Sequence, residues 1–237
     1  MHSQDVNIDP GSSDEQTRYS ILHPGTLDAI LLQKEKIKMV VNHKPVFLHV
    51  GCGPKHQDRT PFADKDWQEI RLDIDESVRP NLVGTMTDLS AVENQSVDAI
   101  FSSHNIEHLY PHDVSIALGE FKRVLKIDGF ILINCPDLQE VCKLIAEDKL
   151  TDPAYVSTSG PIAPIDILYG HRAAMQKGNL YMAHRCGFTK KVLQSTLTAA
   201  GFSSFVKKRS EHFDLWALGE LRHEESRIRE LAAEFIP

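Results

Sequence analysis

The chain has 237 residues, 41% hydrophobic and 25% charged, with a formal net charge of −7. That is the composition of a soluble globular protein with room for a sizeable core, in one large domain or two small ones. The acidic balance argues against a general nucleic-acid binder, which needs a basic footprint. The one tight basic run, Lys207, Lys208 and Arg209, reads as a solvated strand end. Four cysteines (Cys52, Cys135, Cys142, Cys186) show neither metal-type nor disulfide-framework spacing. No apolar run approaches a membrane-spanning length and no signal-peptide core opens the chain. The expectation is a reduced, cytoplasmic protein without a membrane span.

In chain order, residues 1–20 are polar and read as a mobile arm, leaving 21–237 as one domain. Residues 26–41 carry a one-sided apolar stripe behind Thr26 and predict a helix. Pro45 introduces a strand over 46–50, which ends abruptly in Gly51-Cys52-Gly53. The next stretch, with Pro54 and Pro61, predicts at best a short, broken helix. Strands follow over 68–74, around 82–84 and over 97–103. A helix over 117–126 is expected to stop at Asp128-Gly129, the glycine serving as C-cap. A strand over 130–135 and a helix over 137–148 capped by Asp137 come next. Residues 150–188, broken by Pro153, Pro161, Pro164, Gly160, Gly170 and Gly178, read as an ordered lid over a substrate. A helix over 189–200 ended by Gly201, an antiparallel pair over 202–209 and 213–218, and a charged helix in 220–237 complete the chain. Strand–helix alternation means parallel strands with crossover helices, and the closing hairpin makes the sheet mixed. The fold class is therefore a three-layer α/β sandwich.

The glycine turn after the first strand lets a ligand approach the main chain closely. Asp73 stands about twenty residues on, at the end of the next strand, where a carboxylate accepts from ribose hydroxyls. The dinucleotide fingerprint Gly-x-Gly-x-x-Gly is incomplete, with His56 at its third glycine. The broken helix also gives a pyrophosphate a poor seat. A nucleoside without a pyrophosphate fits better than NAD.

The segments FLHVGCGP, RLDID, MTDL, VDAIFSSHNIEHL, EFKRVLKIDGFILINCPD and HRCGFTKKVLQSTLTAAGF occur in that order across residues 45–219. Together they resemble class I S-adenosylmethionine-dependent methyltransferases. More narrowly, they are similar to small bacterial predicted methyltransferases whose first motif is Leu-His-x-Gly-Cys-Gly. The resemblance implies a seven-stranded Rossmann-like sheet of order 3-2-1-4-5-7-6 with the last strand antiparallel. It implies S-adenosyl-L-methionine as cofactor and S-adenosyl-L-homocysteine as product. Gly51, Cys52 and Gly53 would pack on the methionine part and Asp73 would take the ribose diol. Asp88 would meet the adenine amino group and the Leu89 amide a ring nitrogen, with Met86 or Thr87 nearby. Ser103 and His104 would sit beside the transferable methyl. The chain departs from the family at His49, where an acid is usual, and at Lys55, where a third glycine is usual.

Methyl transfer is a task of proximity and in-line orientation. A hydroxyl or ammonium nucleophile must also lose a proton, and histidine suits that near neutral pH. His104 is the first candidate base and His184 the second. Tyr169, His171, Arg172, His184 and Arg185 are the acceptor-facing candidates, and the arginines point to an anionic acceptor. The lid implies a small, partly apolar molecule, a sugar or other metabolite rather than nucleic acid. The tail helix has two places to pack, on the core or on a second copy in a homodimer. Two rivals stand beside this reading. A catalytically weak or inactive cofactor-binding scaffold would explain the altered first motif. A zinc hydrolase would use His104, Glu107 and His108, which match His-x-x-Glu-His; Pro111 and the lack of a third ligand in the sequence speak against it, so no metal is expected.

Overall fold

The computed structural model describes residues 44–237; the expected arm over 1–20 and helix over 26–41 lie outside them. Apolar runs bounded by glycine, proline or acidic residues form the strands of one sheet. They are β1 (Val46–Val50), β2 (Gln68–Asp73), β3 (Leu82–Val83), β4 (Val97–Ser103) and β5 (Leu125–Pro136). A separate hairpin, β6 (Tyr155–Ser157) with β7 (Gly160–Ile162), precedes the last two sheet strands, β8 (Ser203–Arg209) and β9 (Asp214–Glu220). The sheet order is β3-β2-β1-β4-β5-β9-β8. Counting the sheet's own strands only, this is the expected 3-2-1-4-5-7-6. The first five strands are parallel, and β9 runs antiparallel to both β5 and β8.

Six helices accompany the strands among the described residues: α1 (Pro111–Val124), α2 (Leu138–Ala146), α3 (Pro164–Tyr169), α4 (Arg172–Gln176), α5 (Lys190–Ala199) and α6 (Glu225–Phe235). Two expectations are corrected here. First, α1 starts at Pro111, before the expected residue 117, because proline's fixed φ and missing N–H suit a helix's first turn. Second, Gly129 is no C-cap. The helix ends at Val124 and the chain passes directly into β5. The β4–β5 register shifts between Val97 and Ala99, and Gly129 lies within β5. A Cβ there would meet Leu125 Cδ1 at 2.6 Å and the Asp98 carbonyl oxygen at 2.8 Å. Packing, not a helix end, requires that glycine. By contrast Asp137 caps α2 through Gln139 N–H, and Thr189 caps α5 through Val192 N–H.

Strand alternation sends side chains to two cores. On one face Leu48, Val50, Leu72 and Ile100 pack with Leu118 and Phe121 of α1 and Leu193 and Leu197 of α5. On the other, Phe47, Phe101, Phe130 and Leu132 meet Phe62 and, from α6, Ile228 and Phe235. Phe62 stacks on Phe47 at 4.1 Å and contacts Phe235 at 4.9 Å. The tail helix therefore packs on its own core. It shares that face with the irregular segment after Gly53, which holds only a single 3-10 turn over Gln57–Arg59.

The basic run is consumed internally. Lys208 pairs with Asp137 and Glu140, Arg209 with Asp214, and Lys207 donates to the Pro237 carbonyl. No helix among the described residues is long and apolar enough to cross a membrane. The sheet order reverses between β1 and β4, and open α/β sheets hold ligands beyond the carboxyl ends of such a strand pair.

Candidate active site

At that position β1 ends in Gly51 (φ +61°) and Gly53 (φ +53°), both in the left-handed region that disfavours side chains. Space adds a second constraint at Gly51, where a Cβ would lie 2.1 Å from Asn105 Oδ1. Asn105 explains the crowding. Its Nδ2 donates to the carbonyls of Val50 (3.0 Å), Gly51 (3.2 Å) and Ser103 (2.8 Å), tying the ends of β1 and β4 together. Asp73, buried at the end of β2, accepts from Gly53 N–H at 2.7 Å and from Asp75 N–H at 2.9 Å.

Arg71 does what a helix would otherwise do for the loop after the turn. Its buried guanidinium donates to four carbonyls: Gly53 (2.6 Å), Lys55 (3.1 Å), Arg79 (3.0 Å) and Val78 (3.2 Å). Charged donors make strong hydrogen bonds, so this one side chain ties the loop after β1 to the turn after β2. Sequence reading missed Arg71. The available signal was a lone arginine inside the apolar strand.

His49 is 1% exposed and its Nδ1 lies 2.6 Å from Glu69 Oε1. Glu69, on β2, does not itself border the cleft described below. Glu69 also accepts from Gln57 N–H, which anchors the irregular segment. Burial pushes the Cys52 thiol up to about 11, against the pull of Arg71, so it stays protonated at neutral pH.

A cleft of about 570 Å³ opens above these groups. Gly51, Cys52, Gly53 and Asp73 line its floor with Met86, Ser103 and His104. His49 and Lys55 also border it. Its roof comes from the insertion: Ser157, Thr158 and Ser159 at the β6–β7 tip, with Asn179, Tyr181, Met182 and Arg185. The serines and Tyr181 were not anticipated from sequence, since hairpin tips of small polar residues carry no chemical signature.

Other candidates fall elsewhere. Thr87 and Asp88 border a separate hollow with Glu120 and Arg123, wide open to solvent. Asp88 Oδ1 accepts from Ser90 N–H, and hydrogen bonds to Ser90 lower its pKa. The Leu89 amide already donates to Glu120 Oε2 at 2.7 Å, so it is not free for a ring nitrogen. Tyr169, His171 and Arg172 do not line the cleft. Arg172 is clamped on Asp166 through Nε (2.7 Å) and a terminal nitrogen (3.0 Å), joining α3 to α4. That pairing holds the Asp166 carboxyl down at about 2. Arg185 does face the cleft, stacked 4.8 Å over Tyr110 and donating to the His108 carbonyl at 3.0 Å.

His104 leaves β4 with φ +55°, unusual for a non-glycine residue, and its side chain is 47% exposed in the cleft. Its amide donates to the Asn134 carbonyl at 2.8 Å, pinning the turn. Its Nδ1 stands 3.4 Å from Oε1 of buried Glu107. Burial works to raise the Glu107 pKa, but the imidazoles of His104, His108 and His184 outweigh it and the net shift is downward. His184 does not border the cleft. Its Nδ1 lies 2.8 Å from the Ile167 carbonyl and its ring packs against His108 at 4.8 Å. Burial lowers its pKa despite the opposing charge of Glu107.

Residues 48–133 match the family model of a methyltransferase domain. Over that stretch the chain is similar to methyltransferase domains. Among solved structures, a protein of Pyrococcus horikoshii OT3 is similar at TM-score 0.51 and 15% identity, over 85% of this chain and 93% of its own. The CMeT domain of the citrinin polyketide synthase is similar at TM-score 0.50 and 13% identity, over 82% of this chain and 52% of that one. The Burkholderia thailandensis 1,6-didemethyltoxoflavin-N1-methyltransferase, solved with 1,6-didemethyltoxoflavin and S-adenosylhomocysteine, gives TM-score 0.48 and 13% identity over 90% and 98%. At such identities the likeness is one of fold. No curated protein matches the domain.

Proposed function

We propose that the domain transfers a methyl group from S-adenosylmethionine to a small-molecule acceptor. The observation that carries this reading is the pairing of the Gly51–Gly53 turn with Asp73 on the floor of one cleft. The residues fit the cofactor. Gly53 has open space where a side chain would stand, leaving its backbone accessible to the methionine part. Each Asp73 oxygen accepts one backbone N–H and keeps capacity for a ribose hydroxyl. The cofactor supplies an electrophilic methyl on its sulfonium. The protein's contribution is to orient and to exclude water.

His104 and His108 are the two histidines on the β4 side of the cleft; His104 is assigned the acceptor's proton, since both ring nitrogens of His108 already face backbone carbonyls. Its left-handed backbone aims the ring inward, at a strain of about 1–2 kcal/mol. The roof of serines, Tyr181 and Arg185 suits a polar acceptor, and Arg185 suits one with an anionic group. Arg172, committed to Asp166, is left out of acceptor binding.

Calorimetric titration tests the cofactor assignment. Both S-adenosylmethionine and S-adenosylhomocysteine should bind one per chain, and Asp73→Ala should weaken both at least roughly tenfold, the loss of one charged hydrogen-bond acceptor. Binding of neither by the folded wild type overturns the reading in favour of a scaffold. For the acceptor, Arg185→Ala should erase a preference for acidic over neutral compounds in a turnover screen; an unchanged preference removes the anion assignment.

A further inference from the structure

We propose that Glu107, His108 and His184 form a site for a divalent metal ion of the zinc class, which clasps the insertion to the edge of the cleft. One donor atom from each residue lies within 4.8 Å of the others. Contraction by about 1.5 Å would bring them to the roughly 3.3 Å spacing of ligands on a tetrahedral zinc with 2.0–2.1 Å bonds. The absence of an obvious third ligand in His-x-x-Glu-His is resolved by His184, distant in sequence and adjacent in space. His104, first in that motif, is not in the set.

Three features point to a cation. Glu107 is 1% exposed, and neither of its side-chain oxygens has a hydrogen-bond partner. The nearby His104 Nδ1 at 3.4 Å makes only an ion-pair approach. A buried carboxylate without donors is expensive, and a bound cation removes that cost. Next, His184 sets its Nδ1 against the Ile167 carbonyl at 2.8 Å. With Nδ1–H donating there, Nε2 carries a lone pair, as in metal-bound histidines oriented by a backbone oxygen. Finally, His108 is mismatched as a neutral imidazole. Its Nδ1 faces the Ala183 carbonyl and its Nε2 the His104 carbonyl, each at 3.1 Å. A neutral imidazole donates to only one of them, so the other nitrogen opposes its lone pair to an oxygen's. A proton relieves this by making both nitrogens donors, and a metal ion held with Glu107 and His184 relieves it by binding the free lone pair.

The backbone already holds the two segments together. Arg185 and Cys186 N–H both donate to the Glu107 carbonyl, at 2.8 and 3.2 Å. The ion would therefore bind partly prepared ligands from the exit of β4 and from the end of the insertion. Two histidines and a carboxylate are a donor set that zinc accepts while keeping a further position open.

The test uses the full chain after chelator treatment, titrated with Co²⁺ by visible absorption and with Zn²⁺ by competition and elemental analysis. One equivalent per chain is expected. Glu107→Gln and His184→Ala should each weaken binding by more than roughly tenfold, while His112→Ala should bind as wild type. Circular dichroism confirms folding, and His184→Ala serves if Glu107→Gln does not fold. Zn²⁺ should also slow trypsin cleavage within 150–188 in the wild type and not in His184→Ala. Lack of a stoichiometric site in the wild type, or undiminished binding in the folded variants, overturns the proposal. Neither readout depends on cofactor binding or turnover, so failure here leaves the methyltransferase reading untouched.

Discussion

The floor and the roof of the cleft are built by different means. The floor is backbone held by buried, short-range constraints: two left-handed glycines, the Asn105 tie between strands, and Arg71 on four carbonyls. The roof is a 39-residue excursion (150–188) whose hairpin stands apart from the sheet. It is held by the Asp166–Arg172 pair, by Gly170 packed on Met182, and by two amides on the Glu107 carbonyl. Under the proposed function, a floor presenting one surface to the cofactor would gain from rigidity, and a roof admitting and releasing acceptors would gain from a few separable fastenings.

That contrast can be broken most forcefully at Arg71. Arg71→Met should cost about 3 kcal/mol in urea unfolding, because four carbonyls lose their donor at once. Cofactor affinity should fall with it, and an unchanged titration would show that the loop holds itself. Gly51→Ala should cost about 2 kcal/mol or more, from the positive φ and the collision with Asn105. Gly160→Ala, also at positive φ but with open space around it, should cost less and leave cofactor binding intact. Asp166→Asn should leave cofactor affinity unchanged yet speed protease cleavage in 150–188 roughly fivefold, the effect of about 1 kcal/mol of local loosening.

The mildest probe is acid. Asp166 has a folded-state pKa of about 2 against an ordinary 3.8, held down by Arg172. A depressed carboxylate pKa contributes stability that is complete above about 4 and lost as pH falls toward 2. Amide protection over α3 and α4 should decline in that window in the wild type. In Asp166→Asn it should already be low at pH 5.

Much of the floor was legible in the sequence. Apolar runs ending in glycine or aspartate marked the strands, and the spacing from Gly53 to Asp73 survived translation into a 2.7 Å hydrogen bond. What was illegible depended on partners distant in sequence. Pro111 reads equally as a breaker or a first-turn residue until the preceding turn is known. Gly129 looks like a cap until β5 is seen to begin at Leu125. Asp88 and Leu89 were placed by a motif, whereas the motif cannot foresee that Glu120 occupies the Leu89 amide. In the roof, charge was a poor guide. Arg172 and Arg185 look alike in sequence, yet one closes an internal ion pair and the other faces the cleft.

The aromatic face has a consequence for biosynthesis. Phe47 and Phe62 emerge early from the ribosome, but Phe235, which packs on Phe62, belongs to α6, which follows every strand. Until α6 docks, one side of a nearly complete sheet presents stacked rings to solvent. Such exposed apolar surface invites association between nascent or refolding chains. Yield on refolding should therefore drop with protein concentration, and more steeply for Phe235→Ala than for a lid variant such as Asp166→Asn.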